Sequence, residues 1–370
     1  MRRLDLALRA LFAIPLVVLL ACSDGAPPND SVIVFSGEAN RLNAYAPDDD
    51  DFKQTVIETR AIDPNGLDIN AQICFDPDGS RRFIAGEDTG QPNPPQGWGF
   101  FQLEGTEVGS LSATRVGKLT PTYQGSLDNA ENYGCGFLSD GRLVTTDVGN
   151  QATGEGDGQL IIWFPPFDSF EVAYCKLDIT IGTAGQVYIG PGDSIYVASA
   201  RVTPGIYLYE PPFPTSNDAA GGCGKVDGTG APLADSVNKR LFIPNDSNIP
   251  TPNALIASLD DTFYISSVIN GVIAEYDQAG KFVRRILEPP AGEGLGPEPY
   301  STGSPFGLGI DSTGTVYYAD IGIVVRDGRV GPGPRTGTVR KILFEDGNPL
   351  PPITMDRNLA FPDGIGILEE

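Results

Sequence analysis

The sequence predicts an all-β fold, a six-bladed β-propeller whose last blade is closed by both chain termini. The first observation is a motif of two short strands joined by a tight turn, clearest at residues 304–320, SPFGLGIDSTGTVYYAD. Apolar residues in it alternate with small or polar ones at period two, as in a strand packed between layers. The second observation is that the motif recurs along the chain. The third is that one copy is divided between the chain ends.

The copies of the motif predict the number of blades. Complete copies lie at 70–88, 132–147, 185–199, 252–267 and 304–320, and the divided copy begins at 361–367 and continues at 32–45. Three or four short antiparallel strands in each unit are typical of radially arranged propeller blades. A blade built from both ends closes the ring without an exposed strand edge, whereas a stacked solenoid would carry atypical units at its ends.

Composition supports this fold over residues 32–370. The chain of 370 residues has 46 glycines and 32 prolines, scattered between apolar runs of period two. That pattern is typical of a turn-rich all-β protein, and a propeller of this size is ordinarily one domain.

Two short segments resemble the NHL repeat, whose usual form is PNGIAVDSDGNVYVADSGNNRI. SGEANRL at 36–42 is similar to the end of that pattern, and PDGIGI at 362–367 is similar to its start. More broadly, roughly residues 30–370 resemble the SMP-30/gluconolactonase and NHL group of six-bladed propellers. The resemblance implies the fold, whereas activity has to be argued from the site.

The N-terminus predicts export and lipidation. Residues 1–21 place three arginines around the start of the apolar run Ala10–Ala21, which is too short to span a bilayer and is typical of a signal peptide. The following LLAC at 19–22 resembles the bacterial lipobox, in which the cysteine is acylated. Residues 22–31 would then be a tether, and acyl chains on Cys22 would hold the domain at a membrane without spanning it. The alternative is an ordinary signal peptide, with Cys22 incidental.

These features predict a lipid-anchored location in the bacterial cell envelope, at the outer membrane or the periplasmic face. The formal net charge is −23. An acidic surface repels nucleic acid and anionic head groups, so we expect no nucleic acid partner and no membrane contact beyond the anchor. We also expect a monomer. The run Asp48–Asp51 could bind a cation or form a solvated loop.

Four cysteines remain besides Cys22, and export makes disulfides possible. Cys175 and Cys223 flank the third copy of the motif in loop-like sequence, which makes them the first choice for a pair. Cys74 and Cys135 fall near the same place on successive inner strands. They therefore pair across blades or stay as small buried residues.

The chain contains no histidine. This excludes Ser-His-Asp catalysis, the HExxH zinc helix and c-type haem attachment. Carboxylate, amide, hydroxyl and lysine chemistry remains. This inventory favours a hard divalent cation such as Ca²⁺ or Mg²⁺ over zinc or copper.

The start of each inner strand is expected to converge at one mouth of the central channel. The positions there are Ala71, Tyr133, Gln186, Asn253, Phe306 and Asp363. In gluconolactonase-like enzymes, Asn and Asp at such positions coordinate a divalent metal with a Glu from another blade. The resemblance therefore implies Asn253 and Asp363 as metal ligands. Glu87, at the end of a second strand, is the candidate that could complete the site. Ala71, Tyr133 and Phe306 depart from the pattern.

The ends of the second strands offer further carboxylates at the same mouth. Asp147 and Asp320 are candidate general bases for activating a water molecule. The alternative is that they cap turns through hydrogen bonds to the backbone.

Two functions of different class follow. The first is a binding or scaffold module for an extracytoplasmic protein or a small molecule at the propeller mouth. The alternative is a divalent-metal-dependent hydrolase of the lactonase type. The incomplete ligand set favours the binding module.

Overall fold

The computed structural model describes residues 32–48, 53–59, 68–88, 97–121, 132–149 and 157–369. The predicted signal peptide, the Cys22 tether and most of the acidic run Asp48–Asp51 lie outside these residues, so they stay predictions. Regular structure in the described ranges is almost entirely β-strand, with two single-turn 3₁₀ helices at Pro191–Asp193 and Ala219–Gly221. None of the helices in these ranges has the length and apolar character needed to cross a bilayer.

Six antiparallel sheets form the blades, as the repeated motif predicted. From the channel outward, blade 1 holds Ile365–Glu369, Val32–Glu38, Arg41–Tyr45 and Lys53–Glu58; blade 2 holds Asp68–Phe75, Arg82–Asp88, Gly97–Glu104 and Ser112–Leu119; blade 3 holds Asn132–Phe137, Leu143–Asp147, Gly158–Trp163 and Tyr174–Ile181. Blade 4 holds Ala184–Ile189, Ile195–Ser199, Gly205–Glu210 and Asn238–Pro244; blade 5 holds Pro252–Ala257, Phe263–Ser267, Val272–Tyr276 and Phe282–Leu287; blade 6 holds Pro305–Ile310, Val316–Asp320, Gly337–Ile342 and Ile353–Leu359.

Shorter strands extend this frame. Pro232–Leu233 and Lys225–Val226 add to the outer edge of blade 3, and two hairpins within blade 6 pair Ile323–Arg326 with Arg329–Pro332 and Phe344–Glu345 with Asn348–Pro349. We call the first of these, residues 323–332, the mouth hairpin.

Both chain ends close the ring, as predicted. Ile365–Glu369 pairs with Val32–Glu38 in register from Val32 opposite Glu369 to Ser36 opposite Ile365. Each inner strand also packs against the inner strand of the next blade, and the last packs against the first. The inner strands therefore form a continuous ring around the channel.

Apolar side chains fill the spaces between neighbouring blades. Between blades 2 and 3, Trp98 and Phe100 pack with Ile161 and Trp163 in one buried cluster. Both tryptophans are fully buried. Large aromatic side chains bury more apolar area than any others, so these residues stabilise the contact between the two blades.

Inner strands approach one another closely where a glycine lacks a side chain. A Cβ built at Gly364 would overlap the carbonyl group of Ala71 on blade 2 and lie 2.7 Å from the backbone nitrogen of Gln72. A Cβ at Gly307 on blade 6 would come within 2.9 Å of the Cα of Gly364. Glycine is required here because the neighbouring atoms belong to the backbone and cannot turn away.

Two glutamines bridge the inner strands of non-adjacent blades. Gln186 of blade 4 donates from Nε2 to the carbonyl oxygen of Leu308 on blade 6 (2.9 Å) and accepts from the Leu308 amide (3.0 Å). Gln72 of blade 2 accepts from the amide of Cys135 (2.9 Å) and donates to the carbonyl oxygen of Val187 on blade 4 (3.2 Å). These bridges tie blades 2, 3, 4 and 6 together across the channel.

The structure contains two disulfides, the first-choice pair Cys175–Cys223 and Cys74–Cys135, for which two alternatives were open. Cys74–Cys135 joins the inner strands of blades 2 and 3, so these residues pair across blades. Cys175–Cys223 joins the outer strand of blade 3 to a long insertion in blade 4. Disulfides persist in oxidising compartments, so these two disulfides indicate a location outside the cytoplasm.

That insertion, residues 212–237, is also held by a buried ion pair. Lys176 on blade 3 donates to Asp227 at 2.6 Å, and both side chains are inaccessible to solvent. Burial opposes ionisation of Asp227, but the hydrogen bonds from Lys176 and Thr229 outweigh it and hold the pKa of Asp227 below its usual value. The pair therefore fixes the insertion against blade 3.

Candidate functional site

The predicted ring of residues at the channel mouth converges around the hydroxyl of Tyr133. Asn253 donates from Nδ2 to this hydroxyl (2.6 Å) and to the carbonyl oxygen of Phe306 (3.0 Å). The Tyr133 hydroxyl donates to the backbone oxygen of Asp363 at 3.4 Å, and its ring meets that of Phe306 edge-on, with centroids 4.7 Å apart. The ring thus links blades 1, 3, 5 and 6.

The orientation of the Asn253 amide follows from its partners. The carbonyl oxygen of Phe306 can only accept, so the NH₂ group of Asn253 has to face it. No described residue donates a hydrogen bond to Oδ1, and Asn253 lines the pocket at the mouth. Oδ1 is therefore an acceptor available to a ligand.

Tyr133 serves as a neutral hydrogen-bonding group. Burial, and then the negative charge of Asp363, raises the pKa of Tyr133 well above its usual value. The hydroxyl stays protonated at physiological pH, so it cannot act as a base there.

Asp363 ties blade 1 to blade 2. Its Oδ2 accepts from the backbone amide of Ala71 at 3.0 Å, and Ala71 has a φ of 73°, a conformation uncommon for a residue with a side chain. The carboxylate is buried and is not part of the pocket lining. Asp363 thus lies beside Asn253 in the ring but is engaged with the backbone.

Glu87 points away from the channel axis. Its carboxylate forms ion pairs with Lys118 (3.3 Å) and with Arg115, both on the outermost strand of blade 2. It reaches them across Gly97–Glu104, where a Cβ at Gly99 would lie 2.8 Å from Glu87 Oε1. The structure therefore does not bring Glu87 to Asn253 and Asp363.

This arrangement does not fit a resident calcium site. Ca²⁺ takes six to eight oxygen ligands, often with several carboxylates. Across the described ranges, no three or more acidic or cysteine side chains gather in a way that could hold a metal ion. At the ring, Asn253 and Asp363 supply two side chains, and Asp363 already accepts from Ala71.

Asp320 makes all its polar contacts within blade 6. Oδ1 accepts from the amides of Ser304 (2.7 Å) and Gly322 (2.8 Å), and Oδ2 accepts from the hydroxyl of Thr338 (2.8 Å) and pairs with Arg340 (3.4 Å). The contact with Gly322 is the turn-capping bond that the alternative interpretation predicted.

Asp147 occupies the corresponding place in blade 3. Its Oδ1 accepts from the amide of Gly149 at 2.9 Å, again two residues along the chain. Asp147 and Asp320 are both buried. Neither lines the pocket at the mouth, so the geometry suits turn capping better than proton transfer to a ligand.

The mouth holds a pocket of about 280 Å³, which we call the mouth pocket. Residues that follow the second strands form much of its wall, and its apolar lining includes Val148, Ala200, Val268, Ile321, Phe306 and Phe361. The mouth hairpin contributes Ile323 and Val330–Pro332. Among the described residues, the polar lining consists of Thr183, Thr251, Asn253 and Arg201.

Of the residues that line the mouth pocket, the sequence analysis named Asn253 and Phe306. It did not predict the apolar residues that follow the second strands or those of the mouth hairpin. One signal was present in the sequence. An apolar or small residue directly follows the polar end of the second strand in four successive copies, at Val148, Ala200, Val268 and Ile321. The mouth hairpin is an insertion within one blade, and the repeat could not reveal it.

Fold and pocket together define a six-bladed β-propeller with a small apolar pocket at one end of its channel. No family model matches the chain, and no curated protein sequence matches it. Its structure is similar to that of a protein of unknown function from Bacteroides caccae, with a TM-score of 0.50 and 11% identity over 92% of this chain and 100% of that one. At such identity the likeness shows the fold alone.

Two further solved structures are similar at lower scores. Virginiamycin B lyase from Staphylococcus aureus has a TM-score of 0.46 and 8% identity, over 92% of each chain. The calcium-binding protein regucalcin from Agrobacterium tumefaciens has a TM-score of 0.43 and 14% identity, over 67% of this chain and 66% of that one.

Proposed function

We propose that the protein is an extracytoplasmic binding module that takes a small ligand in the mouth pocket. Lipidated Cys22 would anchor it in the cell envelope. One observation carries the proposal. Among the described residues, the pocket lining contains apolar side chains, hydrogen-bonding groups and one arginine, but no carboxylate, cysteine or lysine.

This lining suits binding better than hydrolysis. A general base has to lie within about 2.6–3.2 Å of the proton it removes, or one water away. Asp147 and Asp320 are occupied by turn contacts, and Tyr133 stays protonated. The chain has no histidine, and the described residues of the pocket lining offer groups that hold a ligand but none placed to activate water.

The scaffold around the pocket is preorganised. Asn253 is fixed by two hydrogen bonds, and Gln186 ties blade 4 to blade 6. A pocket that is already formed binds with a smaller loss of conformational entropy. This supports a ligand that enters a largely rigid site.

The aromatic wall provides a direct test. Phe361 is 41% exposed, and its ring packs against that of Phe306 with centroids 5.9 Å apart. We expect Phe361→Ala to weaken binding of the neutral apolar dye Nile red about tenfold, because a large part of the apolar contact is lost. Fluorescence titration of the purified protein measures this.

The matched control is Phe170→Ala. Phe170 is 68% exposed, lies in the loop that joins the third and fourth strands of blade 3, and is not part of the lining of the mouth pocket. Its substitution should leave dye affinity unchanged. Equal affinities for the wild type and Phe361→Ala would argue against the mouth pocket as the binding site.

A second candidate function is the metal-dependent hydrolase. The observation in its favour is that Asn253 and Asp363 lie together around Tyr133, with Oδ1 of Asn253 available.

A further inference from the structure

We infer that the ligand of the mouth pocket is a short extended peptide, which pairs with the open edge of the mouth hairpin and places an apolar side chain in the pocket. This inference rests on the proposed function and specifies its ligand. Three features carry it: an open strand edge, the side of the hairpin on which its valine lies, and a second cavity along the hairpin.

The mouth hairpin has one edge that is bonded to the rest of the protein and one that is open. Its strands Ile323–Arg326 and Arg329–Pro332 pair with each other, and Val325 lies opposite Val330. The amide of Val325 donates away from the hairpin, to the carbonyl oxygen of Gly296 (2.6 Å). In an antiparallel pair, two opposite residues either bond to each other or both turn their backbone groups outward. The N–H and C=O of Val330 therefore point outward from the other edge.

These two backbone groups of Val330 are available to a ligand. Neither has a hydrogen-bond partner among the residues that the structure describes. Val330 is 53% exposed, and a Cβ built at the neighbouring Gly331 would meet no atom within 4 Å. An exposed edge of this kind can bind an extended peptide, because a peptide residue laid opposite Val330 exchanges two backbone hydrogen bonds with it.

The open edge is short, which favours a short peptide. Beyond Val330, the next residue with outward backbone groups is Pro332, which has a C=O but no N–H. In the other direction the chain turns at Asp327 and Gly328, whose φ angles are 51° and 73°. A long strand would find no further donor along this edge. The inferred ligand is therefore a free peptide of a few residues rather than a strand of a partner protein.

The side chain of the peptide residue opposite Val330 would enter the mouth pocket. Side chains of residues directly opposite each other in a sheet lie on the same face. Val330 belongs to the wall of the mouth pocket, together with Phe306 and Phe361. The volume of about 280 Å³ lies just below the usual range of about 300–1,000 Å³ for small-molecule sites, so it suits a single apolar side chain.

A second cavity along the hairpin gives the rest of the peptide a place. Its volume is about 660 Å³, within the same usual range. Val330, Gly331 and Pro332 line both this cavity and the mouth pocket. The open edge is thus a wall common to the two cavities, and a peptide paired with it would lie along both.

Matched peptides test the backbone pairing without a change to the protein. Nile red bound to the purified protein is displaced with acetyl-Ala-Phe-Ala-amide and with an analogue in which an ester oxygen replaces the N–H of phenylalanine. We expect the peptide to bind about fivefold more tightly than this analogue, because only the peptide donates to the C=O of Val330. Acetyl-Ala-Ala-Ala-amide should bind at least about tenfold more weakly than the phenylalanine peptide, since it lacks the apolar side chain.

Two variants at one position assign the pairing to its residue. Val330→Pro and Val330→Ala both lose the contacts of the valine side chain, but only proline loses the N–H. Proline is tolerated on an edge strand where the N–H points outward, so the hairpin should keep its own pairing. We expect Val330→Pro to bind the phenylalanine peptide about fivefold more weakly than Val330→Ala does.

Each outcome bears on a stated part of the inference. Equal affinities for the peptide and its ester analogue, or for the two variants, would overturn pairing with the mouth hairpin. Equal affinities for the phenylalanine and alanine peptides would overturn entry of the side chain into the mouth pocket. If peptides lengthened at both ends bind many-fold more tightly, the ligand is a segment of a partner protein and the free peptide is overturned. If Nile red binds and no peptide displaces it, the inference fails while the proposed function stands. If the dye does not bind at the mouth pocket, both fail.

Discussion

Replacing Gly364 by alanine is expected to destabilise the protein by about 3 kcal/mol, the upper end of the usual cost of overpacking, because the added methyl group has no space. It would overlap the carbonyl group of Ala71 where blade 1 meets blade 2. The N–H of Ala71 is held by Asp363 at 3.0 Å, so the opposing backbone cannot move without losing this bond. Urea unfolding followed by circular dichroism measures the loss.

Gly294→Ala is the matched control for this prediction. Gly294 lies in an exposed loop, and a Cβ there would meet no atom within 4 Å. Its substitution should change the free energy of unfolding by no more than about 0.5 kcal/mol. If the two variants unfold at the same urea concentration, the close approach of the inner strands at Gly364 does not contribute to stability as predicted.

Replacing Lys176 by methionine is expected to cost about 3–5 kcal/mol, because it leaves the buried carboxylate of Asp227 without its cation. The insertion at 212–237 should loosen from blade 3 while Cys175–Cys223 still tethers it. Urea unfolding at pH 7 gives the free energy, and limited proteolysis locates the loosened segment.

The double variant Lys176→Met/Asp227→Asn tests the cause. Asparagine removes the charge but keeps an oxygen that accepts from the amides of Thr229 (2.8 Å) and Ala231 (3.0 Å). The double variant should therefore be more stable than Lys176→Met alone. A double variant at least as unstable as the single one would show that packing of the lysine, rather than its charge, holds the insertion.

The pH dependence of the same pair has a definite sign. The pKa of Asp227 is lower in the folded state than the usual value of about 3.9, so the unfolded chain binds the proton more readily. The stabilisation by the pair is fully present above that usual value and is lost as the pH falls through the lower, folded-state pKa. Lys176→Met should lose this part of the acid dependence.

The sequence was sufficient for the fold because the blade motif is local. Period-two alternation and the turn before Val316 appear in each copy, and the divided copy at the chain ends pointed directly to the pairing of Val32–Glu38 with Ile365–Glu369. Convergence of Tyr133, Asn253 and Asp363 at the mouth followed from the same positional logic.

The features that the sequence did not predict depend on contacts between distant segments of the chain. Glu87 lies at a ring position, but the absence of a side chain at Gly99 lets it reach outward to Lys118 on another strand. Sequence position alone cannot give that direction. Cys74 and Cys135 allowed two interpretations because pairing depends on how two blades align.

One measurement separates the binding module from the hydrolase most directly. Calorimetric titration with Ca²⁺, together with the metal content of the purified protein, is compared between the wild type and Asn253→Ala/Asp363→Ala. The binding module predicts no tightly held divalent ion and no Ca²⁺ heat that depends on these two residues. One tightly held ion that is lost in the double variant, with lactone or ester turnover lost alongside it, would contradict the binding module and establish the hydrolase.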